Sequence, residues 1–354
     1  MGFVIFSEKR VSALVLGFRS AAQLHSWSRR YVRYLTLLAS ATLVAGILPL
    51  SAQAQTFPSK PIRIISQYPV GALVDTLTRQ VGQEMSKNWG VPVIVDSRPG
   101  ANNIISMQAC ANAPPDGYTI CHMGRSTQML TALGVKLPFD LDRDFDPVTN
   151  MMYTVLALVA HPSVGANNLK ELLDAARAKP GVFNYASLGS GSMPNLLLEW
   201  IKKTYNVSIT HVPYKGPPPV LQAMLSGESH VTYVGVANFA AFHQAGKMRI
   251  LGVSGDKRSP LVPDIPTLVE QGLTGLDNTV WFGLLAPAGT PKEARERIYR
   301  EVARIFAIPA FREKFLVAQA FDPINSSPDD FGKFLKTDRE SGAELVRISG
   351  ARFE

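Results

Sequence analysis

Two loops rich in small residues have the residue types and spacing that could bind a ligand. Tyr68-Pro69-Val70-Gly71-Ala72-Leu73-Val74-Asp75 joins a predicted strand to a predicted helix, and Ser187-Leu188-Gly189-Ser190-Gly191-Ser192 stands in the same context. Small residues expose backbone N–H groups beside a helix N-terminus, which is a natural binding site for an anion. Either loop alone is also typical of a plain tight turn. Together, each at the carboxyl end of a strand, they favour a ligand held in a cleft between two lobes.

The ligand-binding candidates from these loops are Tyr68, Val70, Gly71, Ala72, Asp75, Ser187, Gly189, Ser190, Gly191 and Ser192. Asp75 needs a different role from the others, because a carboxylate next to an anionic ligand would repel it. It opens the predicted first helix, where its side chain can accept free amide groups. We therefore expect Asp75 to cap the helix and to position the loop.

Arg125 is a third candidate, in the segment Met123-Gly124-Arg125-Ser126-Thr127. This segment follows a predicted strand, at the end where open α/β folds bind ligands. The planar fork of arginine fits a carboxylate through two hydrogen bonds. One interpretation is that Arg125 pairs with a second carboxylate of the ligand, with Ser126 and Thr127 beside it. The other is a solvated surface arginine.

No motif for catalysis or for a cofactor fits the chain. Gly189-x-Gly191 lacks the third glycine of a dinucleotide site, and the second loop has neither a phosphate-loop lysine nor the pattern of a nucleophile elbow. The histidines are scattered, and His211 is typical of a structural residue at a strand end. No Cys/His cluster has metal-ligand spacing, and the acids at 142, 144 and 146 lack the rest of a calcium loop. We expect no catalytic residue, no metal and no cofactor.

The N-terminal segment has the pattern of a secretory signal peptide. Arg29, Arg30 and Arg33 precede an uncharged apolar run, and Ala52-Gln53-Ala54 supplies a small-x-small cleavage site. The apolar run is shorter than the roughly 20 residues that a membrane anchor needs. We expect cleavage after Ala54, a mature N-terminus at Gln55 and a periplasmic product, with ordinary and twin-arginine export both open. Much of the net charge of +8 lies in this segment, so we expect no nucleic-acid partner.

Short apolar stretches alternate with amphipathic ones along the rest of the chain. They predict strands near residues 62–65, 91–95, 118–122, 155–160, 183–186, 208–212, 230–233 and 249–253, and helices at 73–85, 169–178, 195–203 and over 291–348. This alternation is typical of an α/β fold with mostly parallel sheets. We expect one lobe from residues 55–154 and 277–354 and a second from 155–276, with the chain crossing near 151–152 and 275–281.

Cys110 and Cys121 stand at a predicted helix end and in the following predicted strand. An exported compartment permits a disulfide, and a helix packed on its next strand could bring the two residues together. Which way the side chains face cannot be read from the sequence. A disulfide and two buried thiols therefore both stay open.

An ordered series of short motifs runs through the mature chain. They are Phe57-Pro58-Ser59-Lys60-Pro61, Tyr68-Pro69-x-Gly71-x-x-x-Asp75, Arg98-Pro99-Gly100-Ala101, Pro115-Asp116-Gly117-Tyr118-Thr119, Leu137-Pro138-Phe139-Asp140, Tyr185-Ala186-Ser187, Val212-Pro213-Tyr214-Lys215-Gly216, Pro263-Asp264-Ile265-Pro266-Thr267 and Ala286-Pro287-Ala288-Gly289-Thr290-Pro291. The series resembles the Bug family, the periplasmic solute-binding receptors of tripartite tricarboxylate transporters.

The resemblance implies a type II periplasmic-binding-protein-like fold, in which two α/β lobes close on a small carboxylated solute. In the family, the loops that match 68–75 and 187–195 hold a carboxylate, so Asn195 joins the ligand-binding candidates, as does Tyr214 in its own motif. The family usually has glycine where this chain has Ala72, Asn102 and Asn103.

The resemblance leads us to expect an extracytoplasmic receptor for a small organic acid, such as a di- or tricarboxylate or an aromatic acid. Its partners would be this ligand and the membrane subunits of a tripartite tricarboxylate transporter, and we expect a monomer without enzyme activity. One alternative is an exported α/β hydrolase that acts on a carboxylate ester. Another is a binding protein that serves a sensor and no transporter.

Overall fold

The structure is a computed structural model that describes residues 57–352. The predicted signal peptide, its cleavage after Ala54 and the mature N-terminus at Gln55 lie outside these residues. Within the described part of the chain, no helix is both long and apolar enough to cross a membrane.

Strands and α-helices alternate along most of the described chain. The strands are β1 (Ile62–Ser66), β2 (Val93–Ser97), β3 (Thr119–Gly124), β4 (Phe145–Thr154), β5 (Leu156–Ala160), β6 (Asn184–Ser187), β7 (Thr210–Pro213), β8 (Val231–Gly235), β9 (Arg249–Val253), β10 (Val280–Pro287) and β11 (Phe321–Pro323). The helices are α1 (Leu73–Trp89), α2 (Ile104–Ala111), α3 (Arg125–Met129), α4 (Leu169–Ala178), α5 (Met193–Tyr205), α6 (Pro217–Ser226), α7 (Ala240–Gln244), α8 (Lys292–Phe306), α9 (Pro309–Phe315) and α10 (Pro328–Ser349).

The first sheet has six strands in the order β11-β4-β10-β3-β1-β2. Strand β1 is parallel to β2 and to β3, and α1 and α2 provide the crossovers that parallel pairing requires. Strand β10 is antiparallel to both β3 and β4, and β11 is antiparallel to β4. The carboxyl ends of β1, β2 and β3 therefore lie together at one edge of this sheet.

The second sheet has five strands in the order β7-β6-β8-β5-β9. Strand β6 is parallel to β7 and β8, whereas β5 is antiparallel to β8 and β9. The expectation of mostly parallel sheets is therefore wrong, since both sheets are mixed. The reason is that β5 and β10, the strands in which the chain enters each sheet after a crossing, are antiparallel to both of their neighbours.

The chain passes between the sheets twice. It leaves the first sheet at Val155, and it returns in the segment between Val253 and Val280. The first crossing was expected inside a strand near Met151 and Met152, which lie in β4 a few residues before its end at Thr154. The fold class is confirmed as α/β with two lobes, and the lobe limits 55–154, 277–354 and 155–276 stay a proposal that these crossings support.

Apolar periodicity and end signals account for the regular elements. In α4, Leu169, Leu172 and Leu173 form a buried stripe, and the Asn168 side chain caps the helix by accepting the Glu171 N–H at 2.8 Å. Every residue of β3, β5 and β10 is buried, which fits central strands covered on both faces.

The C-terminal part differs from its expectation. The expected helical character of 291–348 is confirmed by α8, α9 and α10, but β11 was not expected; it separates α9 from α10 and adds a sixth strand to the first sheet. Its pairing partner is the end of β4, which is far away in the sequence. Local periodicity contains no signal for such a pairing.

Cys110 and Cys121 form a disulfide, with their Cα atoms 6.0 Å apart. It joins the end of α2 to β3, and both residues are almost completely buried. The bond therefore fixes a helix of the first lobe to the strand that it covers.

Candidate functional site

The strand ends bring the predicted ligand loops to one region. In the first lobe, segments 67–72 and 98–103 follow β1 and β2, and α3 begins directly after β3. In the second lobe, segments 188–192 and 214–216 follow β6 and β7. The carboxyl ends of adjacent parallel strands are the usual place for a ligand in open α/β sheets.

The first loop is held in place by the buried carboxylate of Asp75. The Gly71 N–H donates to Asp75 Oδ2 at 3.3 Å, and the Ser97 hydroxyl donates to Oδ1 at 2.8 Å. Arg79 Nε lies 2.9 Å from Oδ2 and balances the charge. Asp75 thus holds the loop before α1, whereas the expected cap on the first turn of the helix is not formed.

The second loop has the same bonding pattern. The Gly191 N–H donates to Asn195 Oδ1 at 3.0 Å, and Asn195 is the third residue of α5 as Asp75 is the third residue of α1. Both glycines have positive φ, 87° at Gly71 and 77° at Gly191, a backbone conformation that glycine adopts without strain. In each loop, a side chain of the following helix therefore accepts a backbone N–H and holds the loop in place.

The same arrangement leaves matching amide groups in the two loops. The Ala72 N–H bonds to Pro69 O and the Ser192 N–H to Gly189 O. Among residues 57–352, no acceptor bonds the N–H groups of Val70 and Leu73 in the first loop or those of Ser190 and Met193 in the second. These donors stand at the N-termini of α1 and α5, where the helix dipole also favours an anion.

Three of the five serine and threonine hydroxyl groups expected to bind the ligand form hydrogen bonds inside the protein, whereas those of Ser126 and Ser190 have no hydrogen-bond partner among residues 57–352. Ser192 Oγ donates to Gly189 O at 2.6 Å, and Ser187 Oγ accepts the Gly189 N–H at 3.0 Å and lies 2.6 Å from His211 Nε2. Thr127 Oγ1 donates to Gln67 Oε1 at 3.1 Å and is fully buried. Ser126, the second residue of α3, is only partly buried.

The loops of the two lobes touch each other. A Cβ atom built on Gly216 would lie 3.3 Å from Pro69 Cγ, and one built on Gly189 would lie 3.4 Å from Asn102 Oδ1. Gly216 and Gly189 belong to the second lobe, and Pro69 and Asn102 belong to the first. The two loops therefore approach each other closely at these residues.

Tyr68 forms the floor of the first loop. Its hydroxyl accepts from Gln67 Nε2 at 2.6 Å, and its ring stands edge-on against His122 and Phe282. Burial raises the pKa of the Tyr68 hydroxyl, although the hydrogen bond from Gln67 lowers it. A Cβ built on Gly124 would lie 2.7 Å from this hydroxyl, so Tyr68 needs a glycine beneath it.

His122 is completely buried in β3, beneath the Tyr68 ring. Neither of its ring nitrogens has a hydrogen-bond partner in the described part of the chain. Burial lowers the pKa of His122 to about 3, while the charge of Asp75 acts in the opposite direction. The imidazole is therefore neutral near pH 7.

Arg125 has internal partners for its charge. Its side chain is completely buried, Nη2 pairs with Asp277 Oδ2 at 2.5 Å, and Nε lies 3.0 Å from Asp338 Oδ1. Further donor hydrogens go to Ser341 Oγ and to the Thr279 carbonyl. The interpretation as a solvated surface arginine is wrong, because the side chain is buried. Binding of a ligand carboxylate by Arg125 stays a prediction, and the two internal carboxylates that balance its charge argue against it.

Ligand binding by Tyr214 also stays a prediction, and its internal hydrogen bonds argue against it. Its hydroxyl donates to Glu228 Oε1 at 2.9 Å and lies 3.1 Å from Ser229 Oγ. These partners precede the amino end of β8, whereas the ligand loops follow carboxyl ends of strands. The hydroxyl therefore fixes the β7–α6 segment to the lobe.

Sequence reasoning missed three polar residues at this site. Gln67 is buried between Thr127 and Tyr68, and Asn103 Nδ2 donates to Thr127 Oγ1 at 3.2 Å. Asn102 and Asn103 were noted as departures from the family pattern without being assigned to the site. The signal that could have identified Asn102 and Asn103 is their position after the carboxyl end of β2, the strand next to β1 in the sheet.

A family model described as the tripartite tricarboxylate transporter family receptor matches residues 77–350. A UPF0065 protein of Bordetella pertussis is 33% identical over 312 residues, which are 88% of this chain and 96% of that protein. The protein BugT of Bordetella pertussis is 29% identical over 328 residues, which are 91% of this chain and 99% of BugT.

Two solved structures have similar folds and are each 26% identical to this chain. The R. palustris protein Rpa4515, solved with adipate, has a TM-score of 0.79 and covers 84% of this chain and 100% of its own. MatC from Rhodopseudomonas palustris, solved with bound malate, has a TM-score of 0.75 and covers 82% and 100%. The family expected from the motifs is confirmed, and this chain belongs to the Bug family of tripartite tricarboxylate transporter receptors.

Proposed function

We propose that this protein captures a small organic carboxylate between its two lobes and delivers it to the membrane subunits of a tripartite tricarboxylate-type transporter. The observation that carries the proposal is the pair of loops with matching unbonded amides, at Val70 and Leu73 and at Ser190 and Met193. Backbone donors at two helix N-termini suit a carboxylate without requiring a charged side chain. The adipate and malate held by the two similar R. palustris proteins support this ligand class.

The proposal includes the location and state of the protein. We propose export to the periplasm with cleavage after Ala54, and a monomer whose lobes close on the ligand. The ligand-binding residues that we propose are those whose N–H groups have no acceptor in the described chain, namely Val70, Leu73, Ser190 and Met193. Asp75 and Asn195 act behind them as positioning residues.

One observation favours a second function, an ester hydrolase. Ser187 Oγ lies 2.6 Å from His211 Nε2, a distance at which histidine could activate serine. However, Ser187 is fully buried and its oxygen already accepts the Gly189 N–H, so it is not presented to a substrate. We therefore propose a protein without a catalytic step. Hydrolysis of p-nitrophenyl acetate by the wild type, lost in Ser187→Ala, would favour the hydrolase instead.

The proposal can be tested by removing a single amide. Leu73 is the first residue of α1 and Ala72 before it has φ −64° and ψ 149°, a backbone that accepts a following proline. Leu73→Pro deletes one N–H donor and preserves the helix. If this N–H binds the carboxylate, losing the charge-assisted bond should weaken binding by about 10- to 100-fold.

Leu73→Ala is the matched control, since it shortens the same side chain and keeps the N–H. The wild type should first be screened by thermal shift with malate, succinate, adipate and benzoate, and the affinities measured by calorimetry. We expect Leu73→Pro to bind weakly and Leu73→Ala to bind nearly as well as the wild type. Equal affinities for both variants would refute the role of this amide, and a wild type that binds no carboxylate would refute the proposed function.

A further inference from the structure

The segment after β2 has an unusual backbone. Ala101, Asn102 and Asn103 are three consecutive residues with positive φ, of 45°, 48° and 73°. This conformation costs residues other than glycine up to a few kcal/mol, and asparagine tolerates it better than most. Glycine would remove the strain. The chain thus has asparagine at positions 102 and 103, where the backbone conformation favours glycine.

The two asparagines differ in their contacts. Asn103 is used inside the first lobe, where Nδ2 donates to Thr127 Oγ1 at 3.2 Å and ties the segment to the first loop through Gln67. Asn102 has no hydrogen-bond partner among residues 57–352. Its carboxamide is half-buried and lies against Gly189 of the second lobe, 3.4 Å from the position of a built Cβ.

From this placement we infer that Asn102 is a specificity-determining residue, whose carboxamide binds a neutral polar group of the ligand. The inference rests on the proposed function and deepens it. A carboxamide offers one acceptor and two donor hydrogens, so it can accept from and donate to a single hydroxyl group. The class of ligand that satisfies both is a hydroxycarboxylate, with its carboxylate at the loop amides and its hydroxyl at Asn102.

The charges nearby favour a neutral group over a second carboxylate at this point. Arg125, the buried cation of the first lobe next to these loops, is already paired with Asp277 and Asp338. Arg79 is likewise paired with Asp75. A ligand carboxylate placed at Asn102 would therefore face an uncharged amide, whereas a hydroxyl would match it.

The experiment compares malate with succinate, because the two probes differ by one hydroxyl group. Asn102→Gly removes the carboxamide and suits the left-handed backbone. We expect it to weaken malate binding by about 3- to 10-fold, the value of one neutral hydrogen bond, and to leave succinate binding unchanged. Asn102→Asp keeps the shape of the side chain but adds a negative charge, so it should weaken binding of both probes.

Asn206→Gly is the matched control, because Asn206 also has positive φ, 51°, but is exposed at the end of α5. It should leave both affinities unchanged. The inference is overturned if the wild type binds malate no more tightly than succinate. It is also overturned if Asn102→Gly leaves the malate affinity unchanged. Either result would leave the proposed function intact. A wild type that binds no carboxylate would overturn both.

Discussion

Replacing Arg125 by methionine should destabilise the protein strongly and leave its ligand site intact. Arg125 and Asp338 both have almost fully buried side chains, so the substitution leaves an uncompensated carboxylate in the interior. Breaking a buried pair in this way typically costs about 3–5 kcal/mol. Asp277 adds less, because its side chain is 42% exposed and can be solvated.

The magnitude should depend on pH. Burial raises the pKa of Asp338 above its usual value, and the charge of Arg125 lowers it. Without Arg125, the Asp338 pKa rises further, so the folded variant takes up a proton at a higher pH than the unfolded chain. The cost is therefore greatest near pH 7 and shrinks as the pH falls, because the neutral acid is cheaper to bury.

The Asp277 carboxyl contributes in the same direction. Burial raises its pKa, but the hydrogen bond and charge of Arg125 outweigh burial and hold the pKa well below its ordinary value. A lowered folded pKa gives stability that is present above the unfolded pKa and is lost at lower pH. The wild type loses the stabilisation by the Asp277–Arg125 pair in acid, whereas the Arg125→Met variant lacks this stabilisation at every pH.

Thermal unfolding at pH 7 and at pH 5 would measure both effects. At roughly 2 °C per kcal/mol for a chain of this size, the melting temperature should fall by about 6–10 °C at pH 7 and by less at pH 5. Arg347→Met is the matched control, since that arginine is exposed and paired with Glu344 on the surface of α10, and it should leave the melting temperature unchanged. A stable Arg125→Met variant with a selective loss of dicarboxylate binding would refute the reasoning and return Arg125 to the ligand site.

Two further expectations concern the residues behind the first loop. Asp75→Ala should lower the free energy of unfolding by about 1–3 kcal/mol through its lost hydrogen bonds, since Arg79 can still reach solvent. It should also weaken malate binding, because the first loop loses the side chain that holds it. Calorimetry and thermal unfolding measure the two effects, and weakened binding at an unchanged melting temperature would contradict this expectation. His122 has its pKa lowered to about 3 by burial, so folding loses stability as the pH falls below about 6.5, by about 2 kcal/mol at pH 5. His122→Leu should remove this loss when melting curves at pH 7 and 5 are compared, and an unchanged pH dependence would show that His122 becomes protonated in the folded protein.

Much of the fold could be predicted where the signals are local. Helix α4 and strand β9 begin and end at the residues expected from the sequence, 169–178 and 249–253. A buried stripe and an asparagine cap mark the helix, and these act within one or two turns. Strand β2 begins and ends two residues later than expected, at a sheet edge where its side chains are only partly buried.

The elements that were missed depend on contacts between distant residues. Strand β4 contains buried Thr149 and Asn150, polar residues that break an apolar pattern. Thr149 Oγ1 donates to the Ser326 carbonyl at 2.8 Å, and the Asn150 N–H donates to Ser326 Oγ at 3.1 Å. The Thr149 hydroxyl and the Asn150 backbone N–H are thus satisfied by a segment more than 170 residues further along the chain, which no local pattern reveals.

The same limit applies to the site. The positions of the two ligand loops could be predicted, because each needs only a strand, small residues and a helix. The pairing of Arg125 could not be predicted, because Asp277 is 152 residues away in the sequence and Asp338 is further away still. The sequence therefore predicted where a ligand could be held better than it predicted which side chains hold it.

The charge balance behind the loops explains why such a site depends on backbone donors. The carboxylate of Asp75 is neutralised by Arg79, and the equivalent residue of the second loop, Asn195, is neutral. Helix N-terminal amides attract an anion only over a short range, so affinity depends on the direction of individual N–H groups. Discrimination between carboxylates then depends on neutral groups near these amides, and Asn102 is one that is half-buried and has no internal partner in the described chain.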